Sequence, residues 1–249
     1  MTLNKAKGRM FKSVGWTWNP IPGCTHGCAY CWAESLMKRW GKSFKPQLRE
    51  HFFKDKMPYD GTWIFVGSMG DVFCDGVPDE WIYKLLNFIE VCTVNNKFLL
   101  QTKNPKRFTK FKDNLLSIKD KIILGTTIET TGETPWSLAP STFSRQLQLS
   151  YLKEYYEFKT FLSLEPLSDF DLELMKVWIE FIRPEAIEIG KENHTHFTTP
   201  PPDEKIIKLV NWLNATGYTT ILKENLDYLY PSLDRTKPDK ELTVKGIMG

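Results

Sequence analysis

Apolar and polar positions follow two alternating rhythms along the chain. Short, β-rich apolar runs bounded by Gly, Pro or polar residues fall at 14–18, 63–68, 98–102, 122–127, 160–164, 186–190 and 219–222. Uninterrupted runs of that length are expected of strands covered on both faces. Segments of helical period lie between them. Residues 79–91 place Trp81, Ile82, Leu85, Leu86 and Ile89 on one stripe, and 141–155, 171–182 and 203–214 show similar spacing. Pro78 and Pro202 stand where helices begin, and Gly217 stands just past a helix end.

Strand, helix, strand in steady repetition predicts a parallel sheet with right-handed crossovers. The pattern therefore predicts an α/β fold, a single-domain partial (β/α) barrel with six or seven parallel strands spanning 1–249. Residues 1–13 form a basic N-terminal arm in this reading, and 227–249 a C-terminal extension. An open doubly wound sheet has the same local pattern and is the alternative. In either architecture the chemistry belongs at the carboxyl ends of the strands.

Composition narrows the function classes. Apolar residues at 41% and charged residues at 25% exclude a disordered chain. Thirty-three basic against 30 acidic residues give +3, which permits a nucleic-acid partner without demanding one. No run approaches a membrane span, and the N-terminus has basic residues without the apolar stretch of a secretory signal, so no membrane partner is expected. Three of the five cysteines crowd into positions 24–31, which argues against a disulfide framework and for a reducing, cytoplasmic setting.

Cys24, Cys28 and Cys31 lie in Gly-Cys-Thr-His-Gly-Cys-Ala-Tyr-Cys, a C-x3-C-x2-C spacing directly after the first strand. Soft sulfur selects zinc or iron–sulfur. A structural zinc wants four ligands, and the fourth would come from His26, Cys74 or Cys92. A 4Fe–4S cluster on three cysteines leaves one iron open instead. Three buried thiols without metal are the remaining reading.

With Tyr30 before the last cysteine, this motif resembles that of the radical S-adenosylmethionine superfamily. Trp-Thr-Trp-Asn-Pro at 16–20, Ser-Met-Gly-Asp at 68–71, Thr-Lys-Asn-Pro-Lys-Arg at 102–107 and Leu-Ser-Leu-Glu-Pro-Leu at 162–167 resemble segments of a poorly characterised phage and bacterial family within it, usually labelled as phage proteins of unknown function. The resemblance implies a 4Fe–4S cluster on Cys24, Cys28 and Cys31, S-adenosyl-L-methionine on the open iron, and an external electron donor of the flavodoxin or ferredoxin type. It also implies reductive cleavage to a 5′-deoxyadenosyl radical that takes hydrogen from a substrate. Tyr30, Gly67, Ser68 and Asp71 are then cofactor-binding candidates, although the superfamily more often has Gly-Gly-Glu where this chain has Ser-Met-Gly-Asp. Thr126, Thr127 and Glu129 are candidates for the ribose. Read from the residues alone, 67–71 is equally a turn, and the threonines around 126–131 equally a helix cap.

Glu165 and Lys191 end apolar strands at the expected mouth and are the catalytic candidates, with Glu192, Lys223 and Glu224 on the same rim. Cys74 is a candidate hydrogen-atom donor to a product radical; a small buried apolar residue is the simpler reading. Lys103, Lys106 and Arg107 head a basic stretch that fits phosphates, and His194-Thr195-His196 is a candidate substrate-binding loop; each also reads as solvated surface. The substrate expected is a nucleic-acid base or nucleotide. The alternatives are a peptide or small metabolite, or a zinc- or cluster-stabilised nucleic-acid binding module without catalysis.

Overall fold

The computed structural model describes residues 3–7, 10, 14–193 and 197–231. One eight-stranded sheet forms a half-barrel. Its strands are β1 (Leu3–Lys5), β2 (Val14–Trp18), β3 (Trp63–Val66), β4 (Lys97–Gln101), β5 (Ile122–Thr127), β6 (Thr160–Leu164), β7 (Ala186–Ile189) and β8 (Thr220–Leu222). They pair strictly in chain order, and β2 to β8 are parallel. A doubly wound sheet needs a point where the order reverses; none exists here. The additional strand, β1, pairs antiparallel along β2 and converts the start of the basic arm into an edge of the sheet.

The helices are α1 (Trp32–Arg39), α2 (Asp79–Val91), α3 (Lys106–Lys110), α4 (Lys112–Ser117), α5 (Thr142–Tyr156), α6 (Leu172–Ile182) and α7 (Asp203–Thr216). Local chemistry sets their ends. Ser141 and Asp171 accept hydrogen bonds from the backbone N–H of Ser144 and Leu174 at the starts of α5 and α6, and Gly217 takes the left-handed turn after α7 at φ 86°. Among the described residues no helix is long and apolar enough to cross a membrane.

Alternation along the strands sorts side chains between two layers. Trp18, Ile64, Phe98, Leu124, Leu162 and Ile187 point outward into the main core beneath the helices. Val14, Trp63, Leu99, Ile123, Phe161 and Ile221 point inward and close the lower end of the half-barrel with an apolar layer. One step further along, the inward positions include Thr17, Gln101, Thr127, Ser163 and Glu188. That change from apolar to polar leaves a cavity of about 640 Å3 at the carboxyl ends of the strands.

Candidate functional site

The loop after β2 is held from several sides. Asn19 accepts the Met69 N–H at 2.7 Å and donates to Ser68 Oγ at 3.1 Å, which ties the first strand-end loop to the second. Gly23 forms an isolated parallel bridge with Gly70: its N–H donates to the Met69 carbonyl at 3.0 Å and its carbonyl accepts the Asp71 N–H at 3.1 Å. Further bonds run from Cys24 N–H to the Phe44 carbonyl, Ala29 N–H to the Trp136 carbonyl and Leu138 N–H to the His26 carbonyl. The loop's cysteines are therefore positioned by tertiary hydrogen bonds rather than by the loop alone.

All three thiols of this loop line the cavity and are half-buried. Cys24 Sγ accepts the His26 N–H at 3.3 Å, and Cys31 caps α1 by accepting the Glu34 N–H at 3.4 Å. Cys28 Sγ lies 3.1 Å from Ser137 Oγ and 3.6 Å from Lys103 Nζ. Hydrogen bonds to sulfur and a nearby cation stabilise thiolates and tune the potential of a cluster that they hold. Among the described residues no three His, Cys, Asp or Glu side chains gather around one point as ligands of a single ion. Burial pushes the Cys31 thiol up; Cys24 is pushed up by its hydrogen bond to the Cys74 sulfur and by burial, and Cys74 is lowered to about 6 by the same bond. Cys74 is fully buried behind Cys24 and does not line the cavity.

Two buried acids brace the site. Asp71 Oδ2 takes His26 Nε2 at 2.8 Å, Thr102 Oγ1 at 3.0 Å and the Lys103 N–H at 2.8 Å, while Oδ1 takes the Phe73 N–H at 2.9 Å. Burial opposes its charge, but the contact with His26 and these bonds outweigh it and lower its pKa. Glu129 is fully buried; Lys103 reaches one oxygen at 2.7 Å and Arg145 the other at 2.6 Å, and the Tyr30 hydroxyl also donates to it. Here too burial is overridden, by Lys103 and Arg145, and Glu129 falls to about 2. Lys103 also hydrogen-bonds Tyr30 and lies over its ring; burial works against its charge, but Glu129 and Cys28 raise its pKa.

Across the cavity, Lys223 pairs with Glu165 at 3.2 Å and with Glu188, which Ser163 Oγ also contacts at 3.3 Å. Burial opposes the Lys223 charge and the two glutamates restore it, raising its pKa. Lys191 binds Asp203 at 2.6 Å and the Tyr228 hydroxyl.

The fold thus brings Cys24, Cys28, Cys31, Tyr30, Ser68, Asp71, Lys103, Thr127, Glu165 and Lys191 to one cavity. Other candidates lie elsewhere. Gly67 forms a turn at φ 84°. Thr126 is buried on the outer face and donates to the Thr102 carbonyl. Glu129 sits behind Tyr30 and Lys103. Lys106 is on the exposed side of α3. Arg107 binds Asp79 at 2.7 Å and the carbonyls of Cys74 and Val77, so its guanidinium clamps that loop. His194 and His196 lie outside the described residues. Sequence reasoning missed Asn19, Gln101, Arg145 and Ser163. It also missed Glu188, whose acid within Ala-Ile-Glu-Ile was a readable signal; the others carry none.

The family described as "Protein of unknown function (DUF5131)" matches residues 11–181, and that description names no phage. No curated protein matches the chain by sequence. Among solved structures, a spore photoproduct lyase variant with bound AdoMet and dinucleoside spore photoproduct is similar with a TM-score of 0.55 and 13% identity, covering 76% of this chain and 59% of that one. Spore photoproduct lyase complexed with the dinucleoside gives 0.52 and 13%, over 75% and 57%. SuiB of Streptococcus suis bound to S-adenosylmethionine gives 0.52 and 10%, over 90% and 53%. The chain spans little more than half the length of these structures, and at such identities the likeness is one of fold.

Proposed function

We propose that this chain, which belongs to the DUF5131 family, is a radical S-adenosylmethionine enzyme acting on a nucleic-acid base or nucleotide. The observation that carries the reading is the arrangement of Cys24, Cys28 and Cys31 on one wall of a single cavity at the carboxyl ends of the strands, each sulfur with a hydrogen-bonding neighbour. The fold shared with two proteins whose structures hold S-adenosylmethionine supports it.

In this reading the three cysteines hold a 4Fe–4S cluster. Bound there and reduced by one electron from an external donor, a cluster would supply the chemistry that splits S-adenosylmethionine into methionine and a 5′-deoxyadenosyl radical able to abstract hydrogen from a substrate. The chain's own residues position and protect. Asp71 fixes His26 and the backbone that leads into α3, and Ser68, Met69 and Gly70 line the cavity beside the cysteines. The Glu129 network holds Lys103 beside Cys28, where its charge offsets that of a thiolate. The apolar layer below excludes water from the floor. Gln101, Thr127 and Ser163 offer hydrogen bonds from the inner face, and the Glu165–Lys223–Glu188 group faces them from the later strands.

Aromatic surfaces at the opening support a base as substrate. Tyr30, Trp32, Phe44 and Phe65 line the cavity, and Trp32 is 52% exposed. Lys5 and Lys7 of the N-terminal arm line it as well. Arg107 and Lys110 are paired with Asp79, so phosphates would meet the arm rather than that stretch.

Anaerobic reconstitution tests the proposal. The expected result is about four irons per chain and dithionite-driven formation of 5′-deoxyadenosine, both lost in Cys28→Ala. Deuterium passing from a labelled oligonucleotide into 5′-deoxyadenosine would identify the substrate class. A colourless protein retaining stoichiometric zinc would overturn the proposal.

A further inference from the structure

Helix α5 is apolar on two opposite faces. Towards the sheet it buries Leu149 and Leu152. Away from it, Phe143, Leu147, Tyr151 and Tyr155 recur every fourth residue and are 57%, 50%, 40% and 70% exposed. Neighbouring α6 adds Leu174, Val177 and Phe181, at 40%, 42% and 61%. The ring of Phe143 lies 6.1 Å from that of Trp178 on α6, which joins the two stripes into one face. Packing on the sheet accounts for the inner face of α5 and leaves the outer one unexplained. Apolar residues scattered singly over a surface are ordinary; a continuous face over two helices marks an interaction site.

The charges beside this face indicate what covers it. Lys153 pairs with Glu185 at 3.2 Å, Lys176 with Glu173 at 2.7 Å, and Arg183 with Glu154. Each base meets an acid of the same chain, so these pairs carry no net charge to attract a polyanion or a strongly charged protein. A face flanked by internally paired charges can meet its own copy across a two-fold axis without setting unpaired like charges against each other. A row spaced by four residues is also the ridge that interdigitates with the same ridge on an identical helix. The exposed side chains of the two stripes offer on the order of 600 Å2, most of the roughly 800 Å2 that each partner buries in a standard interface.

We propose that the outer face of α5 and α6 is the contact through which two copies of this chain form a symmetric dimer. It lies on the helix layer, opposite the inner face of the sheet, and so leaves both cavities open. Sedimentation velocity on the full chain tests this. The expected species has twice the 29.0 kDa chain mass at micromolar concentration. Leu147→Glu combined with Phe181→Glu is expected to raise the dissociation constant at least 100-fold while the thermal midpoint, extrapolated to the monomer, stays within a few degrees. If that variant does not fold, Tyr151→Cys provides a second reading: oxidation is expected to give a disulfide-linked dimer, whereas a cysteine at Tyr83, which is 40% exposed on α2, gives none. A monomer across the whole concentration range overturns the proposal, as does a dimer that survives the double substitution. A monomer whose α5 amides lose protection when residues 232–249 are removed would assign the face to the chain's own tail and also overturn it.

Discussion

Gly70 lies so close to Gly23 that a methyl group on Gly70 would stand 2.3 Å from the Gly23 carbonyl oxygen and 2.6 Å from its nitrogen. Both contacts are to backbone, so neither can be relieved by turning a side chain. Gly23 is itself at φ 99°, with the Lys45 carbonyl at 2.4 Å from where a Cβ would stand. The two strand-end loops are thus in register because neither residue carries a side chain.

Gly70→Ala is accordingly expected to move the cysteine loop. It should cost about 1–3 kcal/mol and reduce the iron bound after reconstitution, while Gly132→Ala, whose methyl would meet nothing closer than 3.6 Å, leaves both unchanged. Thermal melting and iron analysis of the two variants check this. Full iron loading in Gly70→Ala would contradict it.

Glu129→Gln removes the charge that Lys103 and Arg145 share, and leaves the fully buried Arg145 without its anion. A loss of about 3–5 kcal/mol is expected in urea unfolding. The wild type carries the matching pH dependence. The Glu129 pKa falls from an ordinary 4.5 to about 2, so the unfolded chain binds its proton first as the solution is acidified. The stabilisation is complete above about 4.5 and is lost as pH falls towards about 2. Melts between pH 6 and 2.5 should show this part of the slope flattened in the variant.

Lys103→Met removes the cation 3.6 Å from Cys28 Sγ. Glu129 keeps Arg145, so the variant should fold. Without the nearby positive charge, the reduced form of a bound cluster is less favoured. Its midpoint potential is expected to fall by on the order of 50 mV, since about 1.4 kcal/mol corresponds to 59 mV for one electron. Potentiometric titration followed by electron paramagnetic resonance measures the shift, and an unchanged potential would separate Lys103 from the cluster.

A single-stranded oligonucleotide should distinguish the two groups of lysines. Lys5→Ala with Lys7→Ala is expected to weaken binding and lower the salt slope by roughly one for each phosphate no longer neutralised. Trp32→Ala should cost about 1–3 kcal/mol with the slope unchanged, as stacking predicts. Lys110→Ala, already paired with Asp79, should change neither. Equal effects from all three would remove the support for a base stacked at the opening.

Much of the fold was legible because it is written locally. The seven parallel strands fall on the apolar runs, and α2, α5, α6 and α7 lie on the four periodic segments. β1 was not legible: Leu-Asn-Lys has no strand pattern of its own and becomes a strand by pairing with β2. The candidate site was legible where one loop or one strand end carries it, as for the cysteines, Glu165 and Lys191. Arg107 differs, because a basic residue in a basic stretch shows nothing of the carbonyls and acid that fold against it.

The sequence by itself determined the alternation of strands and helices and set three thiols on the loop after a strand, since hydrophobic period and residue spacing act over a few positions. Tertiary structure decided which charges face the cavity and which are consumed beneath it. Asp71 meets His26 across 45 residues, Arg107 meets Asp79 across 28, and Lys103 meets Glu129 across 26. Such pairs depend on how neighbouring strands are staggered and which side chains point inward, and that is settled only when the whole sheet assembles.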